Sequence, residues 1–236
     1  MLHNQTVGLV IPAFNEEQSI THVLQGIPNI VDFVTVVDNG STDSTARLAS
    51  AAGATVVSQP VRGYGAACIA GIRHLNRQHQ PDLIAFMDAD FSDYPEDLID
   101  LCNEVASGRA DLAIGNRSVQ DCESESMFWH QRLGNWIICC VIYVLHGARF
   151  GDLGPMRCIN STFLKSLRMS DMDFGWTVEM QLKSQLQQAR ISQLPVRYRP
   201  RIGHSKISGT IKGTLLAAYK MLYWVFRLYF ARVLRH

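Results

Sequence analysis

The sequence predicts an α/β protein built on a mostly parallel, doubly wound sheet. Short apolar runs bounded by turn residues alternate with segments of helical spacing through the first half of the chain. That alternation marks βαβ units, whose crossover helices make neighbouring strands run parallel. Several of the apolar runs also end on an acid or an amide, as expected where strands present side chains to a ligand at their carboxyl ends.

The elements follow in order. "VGLVIPAFN" is a strand ending at Pro12, and "EEQSITHVLQGI" after it has helical spacing. "FVTVVDNGSTD" is a second strand running into a turn, where Ser41 or Thr42 can cap "DSTARLASAAG", a helix that stops at Gly53. "ATVVS" is a third strand and "GYGAACIAGIRHLNRQ" a helix opened by glycines. "DLIAFMDAD" is a fourth strand, "YPEDLIDLCNEVAS" a helix with Pro95 near its first turn, and "ADLAIGNR" a fifth strand. Beyond Arg117 a polar stretch leads to an apolar helix at Trp136–Leu145. Then come a Gly/Pro loop "FGDLGPMRCI", a helix "GWTVEMQLKSQLQ", a strand "ARISQLPVRYRPR", a basic loop "IGHSKISGT" and a long helix from Ile211 to Val233. No internal repeat or low-complexity linker interrupts this order. The expected organisation is one domain over residues 1–206, with halves 1–117 and 118–206, and a helical extension over 207–236.

With 236 residues, 47% of them apolar, the chain can bury a sizeable core. Its net charge of +1 hides a division: residues 1–110 carry 13 acids against 5 bases, residues 111–236 carry 8 against 17, and Glu179 is the last acid. One half is thus suited to a cation and the other to an anionic surface. The six cysteines form no CxxC pair and read as reduced cysteines of an intracellular protein. Met1 leads through a polar segment straight into a strand, so no secretory signal is expected. The firmly apolar run at Trp136–Leu145 is about half the roughly 20 residues a spanning helix needs, and Lys212, Lys220 and Arg227 interrupt the last helix. No transmembrane helix is expected. In the last helix Lys212, Lys220, Arg227, Arg232 and Arg235 occupy one broad half, with Leu215, Leu222, Phe226 and Tyr229 opposite. Residues 207–236 are thus expected to form an amphipathic helix lying in a membrane interface, the alternative being a helix docked on its own core or a partner. The basic half comes with no nucleic-acid motif, so no nucleic-acid partner is expected.

The chemistry concentrates at the strand ends. Asp38 and Asp88 directly follow apolar strands, and Asp-Ala-Asp at 88–90 presents two carboxylates on one side of an extended segment. Hard cations such as Mg²⁺ or Mn²⁺ bind one or two carboxylates and complete their shell with phosphate oxygens and water. Asp43 and Glu17 suit helix or turn capping equally well. There is no P-loop, and strand one runs into "PAFNEE" rather than a dinucleotide fingerprint. The glycines of "RGYGAA" serve either a phosphate at the helix start or close helix–strand packing.

Together "VIPAFNEE", "VVDNGSTDST", "RGYGAA", "MDADFSDYPEDL" and "GNR" resemble inverting glycosyltransferase family 2, with its GT-A fold. "DLGPMR", "GWTVEMQ" and "RPRIGHSKISGT" resemble its dolichol- or polyprenyl-phosphate branch. The Q-x-x-R-W motif of the processive synthases is absent. The resemblance implies a nucleoside pocket lined by Pro12, Ala13, Asn15 and Glu16, with Asp38 holding base or ribose. It implies a metal, Mg²⁺ or Mn²⁺, on Asp88 and Asp90, beneath the donor diphosphate. It places Arg117, Arg132, Arg201, Ser205 and Lys206 at the acceptor phosphate. Related enzymes carry a Gln ligand where this chain has Ser92, and they usually read GSR where it has GNR. Glu179 either orients the sugar, acts as a base or pairs with Lys183; Trp176 is a core or acceptor-side aromatic. Asp152 and Arg157 either pair with each other or line the sugar site.

The implied reaction is transfer of one sugar from a UDP- or GDP-sugar to a polyprenyl (dolichyl or undecaprenyl) phosphate by a peripheral protein on the cytoplasmic face of a membrane. The alternatives are transfer to a hydroxyl acceptor, and a nucleotide-sugar-binding subunit without turnover. No segment specifies an integral membrane partner or a homo-oligomer.

Overall fold

The computed structural model of the chain describes residues 2–117, 129–203 and 211–234. Among them seven strands form one sheet: β1 (Val7–Ala13), β2 (Phe33–Asp38), β3 (Thr55–Ser58), β4 (Leu83–Phe86), β5 (Leu112–Asn116), β6 (Arg157–Asn160) and β7 (Ile191–Pro195). Their order across the sheet is β3-β2-β1-β4-β6-β5-β7. All pairs are parallel except those of β6, which runs antiparallel to β4 and β5. The helices are α1 (Ile20–Gln25), α2 (Thr45–Ala51), α3 (Tyr64–Gln78), α4 (Leu98–Ala106), α5 (Trp129–His146), α6 (Ser161–Leu167), α7 (Trp176–Leu186) and α8 (Ile211–Val233). A 3₁₀ turn at Pro95–Asp97 starts α4.

The sheet is covered on both faces, and the alternation of strand side chains divides its core in two. Leu9 and Ile11 of β1 join Leu83 and Ala85 of β4 beneath α1, α2 and α4. Val10, Ile84 and Phe86 face the other way, against α3, α5, α7 and α8. Helix α7 shows little amphipathic pattern because it is buried nearly all round, from Trp176 to Leu182.

One element departs from the expectation. The Gly/Pro loop ends in β6, four residues inserted between the central β4 and β5, and α6 follows at once with Asn160 as its cap, accepting from Phe163 N at 3.0 Å. A four-residue strand that opens on an arginine carries no alternation long enough to recognise. The last helix docks on the core, as one of its two alternatives allowed: Trp224 and Val225 are buried, and His146 of α5 bonds the Val225 carbonyl at 2.9 Å. Its other side exposes Tyr219, Tyr223, Phe226 and Phe230 with Arg227 and Arg232, and α5 exposes Trp136, Ile137 and Val144. No described helix is long and apolar enough to cross a membrane.

Candidate active site

The parallel registers align the carboxyl ends of the first strands: Ala13 lies opposite Asp38, and Asp38 opposite Ser58. Pro12 and Ala13 close β1, and the chain then turns at Asn15, whose φ of +53° is unusual for a residue with a side chain. The turn is held from both sides. Asn15 N donates to Ser41 Oγ at 2.9 Å, and Asn15 Oδ1 accepts from Thr42 N at 2.8 Å. Asp38 Oδ1 accepts from Ser41 N at 3.0 Å, while Glu16 N donates to Thr45 Oγ1 at 2.7 Å. Asn15, Glu16 and Asp38 therefore share one knot with the "DNGSTDST" loop. Asp43 and Glu17 cap that loop, accepting from Thr45 N and Ser44 N at 3.0 Å each.

Asn39, which the sequence did not single out, joins the next loop. Its Nδ2 donates to the carbonyls of Gln59 (2.9 Å) and Val61 (2.7 Å), and its Oδ1 accepts from Gly63 N at 2.8 Å. The glycines of "RGYG" are explained by close approach. A Cβ on Gly63 or Gly65 would lie 2.0 or 2.1 Å from the carbonyl oxygens of Met172 or Asp171. Gly65 N and Ala66 N donate to Asp173 and Met172 oxygens at 3.2 and 2.9 Å. The amides at this helix start serve the 171–173 loop rather than a phosphate.

Beyond β4 the acid loop begins. Asp90 and Asp93 are buried and Asp88 half-buried. Asp90 Oδ1 accepts from Ser92 N (2.9 Å) and Ser92 Oγ (2.5 Å), which leaves Oδ2 outside this turn. Asp88 N donates to Asp93 Oδ2 at 3.3 Å, whereas the buried Asp93 Oδ1 has no hydrogen-bond partner. Phe91 has φ +64°, a strained value for a bulky residue, and the Arg199 guanidinium lies 3.3 Å above its ring. Burial, with Asp90 and Asp93 adding repulsion, pushes the Asp88 carboxyl well up. Burial and then Asp90 push Asp93 up to about 7. An orphaned carboxylate oxygen and two carboxyls strained as anions fit a divalent cation. No group of three or more His, Cys, Asp or Glu among the described residues is arranged to hold one alone.

The opposite wall comes from the segment after β7. Arg201 Nη2 lies 2.9 Å from Asp90 Oδ2 and 3.6 Å from Glu16 Oε1. Asp152 holds Arg117, accepting from its Nε and Nη2 at 2.7 and 2.9 Å and from its backbone N at 3.0 Å. Burial alone would raise the Asp152 carboxyl, but Arg117 outweighs it and holds it below the usual range. The alternative pairing of Asp152 with Arg157 is likewise not formed. Arg157 is fully buried and donates to the carbonyls of Gly154, Pro155 and Thr177.

Glu179 forms the pair with Lys183, one of the alternatives its i+4 spacing allowed. It is fully buried, accepting from Ser170 N, Ser170 Oγ and Asp171 N and pairing with Lys183 Nζ at 2.7 Å. It fixes the loop that packs on Gly63 and Gly65. Arg132 is exposed on α5, one turn before Asn135, whose Oδ1 accepts from Leu153 N beside Asp152. Ser205 and Lys206 lie outside the described residues.

Residues 9–166 match the family model described as "Glycosyl transferase family 2". The chain belongs to that family. An uncharacterized glycosyltransferase of Mycobacterium tuberculosis is 34% identical over 89% of this chain and 94% of its own length. A dolichyl-phosphate hexose transferase of Haloferax volcanii is 28% identical over 85% of this chain and 86% of its own length. Among solved structures, glucosyl-3-phosphoglycerate synthase from Mycobacterium tuberculosis, in complex with Mg²⁺ and uridine diphosphate, superposes with a TM-score of 0.74 at 21% identity, covering 95% of this chain and 79% of that one. The superposition establishes the GT-A fold for this family 2 member.

The crowded acids of this glycosyltransferase set an expected pH dependence. Between the ordinary carboxyl value and about 7, folded Asp93 keeps a proton that the unfolded chain has released, so its contribution to stability falls as pH rises. In EDTA the melting temperature should rise between about pH 8 and pH 6, relative to Asp93→Asn. Mn²⁺ should then stabilise more at the higher pH. Parallel wild-type and variant profiles would rule out this origin.

Proposed function

We propose that this chain transfers one sugar from a UDP- or GDP-linked donor to a polyprenyl phosphate, with inversion, at the cytoplasmic face of a membrane. The observation that carries the reading is the meeting of the acid loop, Asp88 to Asp93, with the arginine-bearing segment Arg199–Arg201. Pro12, Ala13, Asn15, Glu16 and Asp38 line the donor's nucleoside side of that meeting. Asp88 and Asp90 would hold Mg²⁺ or Mn²⁺ together with donor phosphate oxygens. Bound there, the cation supplies charge neutralisation for the departing nucleoside diphosphate.

A phosphate monoester has its second pKa near 6 and is mainly a dianion at neutral pH. Its oxygen attacks the anomeric carbon opposite the diphosphate, the bond to the nucleotide oxygen breaks, and no proton has to be removed. What the protein must provide is positioning and positive charge. Arg201, Arg132, Ser205 and Lys206 are assigned to the acceptor phosphate, with Arg117 positioning the Asp152 loop. The occupied oxygens of Glu179 favour this acceptor, since a hydroxyl would need a base. The related dolichyl-phosphate hexose transferase supports it too. The exposed aromatic and basic sides of α5 and α8 suit a helix pair resting in a membrane interface.

The test is a transfer assay with purified protein, Mn²⁺, a short polyprenyl phosphate and a panel of UDP- and GDP-sugars, read by mass spectrometry of the lipid. One hexose added to the lipid phosphate is expected. Product only on an alcohol would replace the acceptor by a hydroxyl, and bound nucleotide without turnover would replace the enzyme by a binding subunit.

A further inference from the structure

Arg201 is brought to the acid loop by backbone pairing, not by its side chain alone. Tyr198 bridges Asp93, Arg199 N donates to Ser92 O at 3.0 Å, and Ile202 N donates to Asp90 O at 3.0 Å. Arg199 locks this antiparallel register, with Nε 2.6 Å from Phe91 O and Nη2 3.2 Å from Asp93 O. Held this way, Arg201 Nη2 meets Asp90 Oδ2, the oxygen that Ser92 leaves open. A divalent cation on Asp90 needs that same oxygen, and two positive groups sharing it repel. Arg201 Nε is buried without a hydrogen-bond partner, so the guanidinium has donor capacity that the carboxylates leave unused. A phosphate offers the paired oxygens that a guanidinium fork fits best. The side chain can turn toward one while the paired backbone stays in place.

We infer that Arg201 and the divalent cation compete for Asp90, and that an acceptor phosphate engaging Arg201 tightens metal binding. This rests on the metal site proposed at Asp88 and Asp90. By linkage the cation then tightens acceptor binding by the same factor. Full charge on the donor side thus goes with an acceptor in place, and Arg201 couples the two halves of the site.

The experiment titrates Mn²⁺ against the full chain with UDP present, following free Mn²⁺ by electron paramagnetic resonance. Arg201→Gln should bind Mn²⁺ about tenfold more tightly than wild type, the scale of one charge-assisted hydrogen bond. A short isoprenyl phosphate, corrected for its own Mn²⁺ binding, should tighten wild-type binding and leave Arg201→Gln unchanged. If Asp90→Asn loses Mn²⁺ but Arg201→Gln binds it no better than wild type, the competition is overturned and the metal site stands. If Asp90→Asn binds Mn²⁺ normally, the site and the inference fall together. The coupling in the wild-type protein needs no variant, and its absence overturns the inference even if Arg201→Gln does not fold.

Discussion

Asp90→Asn is expected to lower transfer about a thousandfold while leaving the protein folded, the scale of several kcal/mol of lost charge stabilisation at the leaving group. The substitution separates charge from shape. An asparagine oxygen can still accept from Ser92 N and Ser92 Oγ, so the turn after β4 keeps its hydrogen bonds. What disappears is the negative charge on Oδ2, which Arg201 approaches at 2.9 Å. The lost ion pair should change stability little, since Arg201 is partly exposed and repulsion among the acids is relieved. Initial rates of lipid glycosylation and a thermal melt are the two measurements. A variant that melts like wild type and keeps activity within tenfold would remove Asp90 from the metal site.

The largest effect on stability is expected at Gly65. An added Cβ would sit 2.1 Å from the Asp171 oxygen and 2.9 Å from Asp173 N, both backbone atoms. The 171–173 loop would have to withdraw. It would lose the bonds from Gly65 N and Ala66 N and disturb the Trp224 Nε1 to Asp171 hydrogen bond that ties α8 to the same loop. Gly65→Ala should cost about 3 kcal/mol, the upper end of overpacking, and lower the melting temperature by roughly 8 °C. Gly134→Ala is the control. Gly134 lies in α5 with nothing within 4 Å of its added Cβ, so helix propensity should make the change neutral or stabilising by up to about 1 kcal/mol. Equal losses at both positions would show that crowding against the 171–173 loop is not the reason for Gly65.

How far the site could be read in the sequence depended on how local its signals are. The junction "LIAFMDAD" states its meaning within eight residues: an apolar strand ends and carboxylates follow. The same holds for Asp38 after "FVTVV" and for the turn signals of "DNGSTDST". The partners of these groups carry no such signal. Arg199 meets Phe91 across 108 positions, and Arg117 meets Asp152 across 35. Charge sign alone allowed Asp152 to pair with Arg157, which instead donates to backbone carbonyls. The i+4 spacing announced the pair of Glu179 with Lys183, but its acceptance of the Ser170 and Asp171 amides depends on a loop conformation that no residue pattern announces.

The strand–helix alternation, the acidic rim and the division into an acidic and a basic half were legible in the residues alone, because periodicity and composition act over short stretches of chain. The tertiary structure decided where β6 inserts, which arginine stands on which carboxylate, and that the glycines of "RGYG" make room for a loop more than 100 residues away. Those outcomes depend on packing and on the loss of solvent around buried charges. Both properties exist only once distant segments have been brought together.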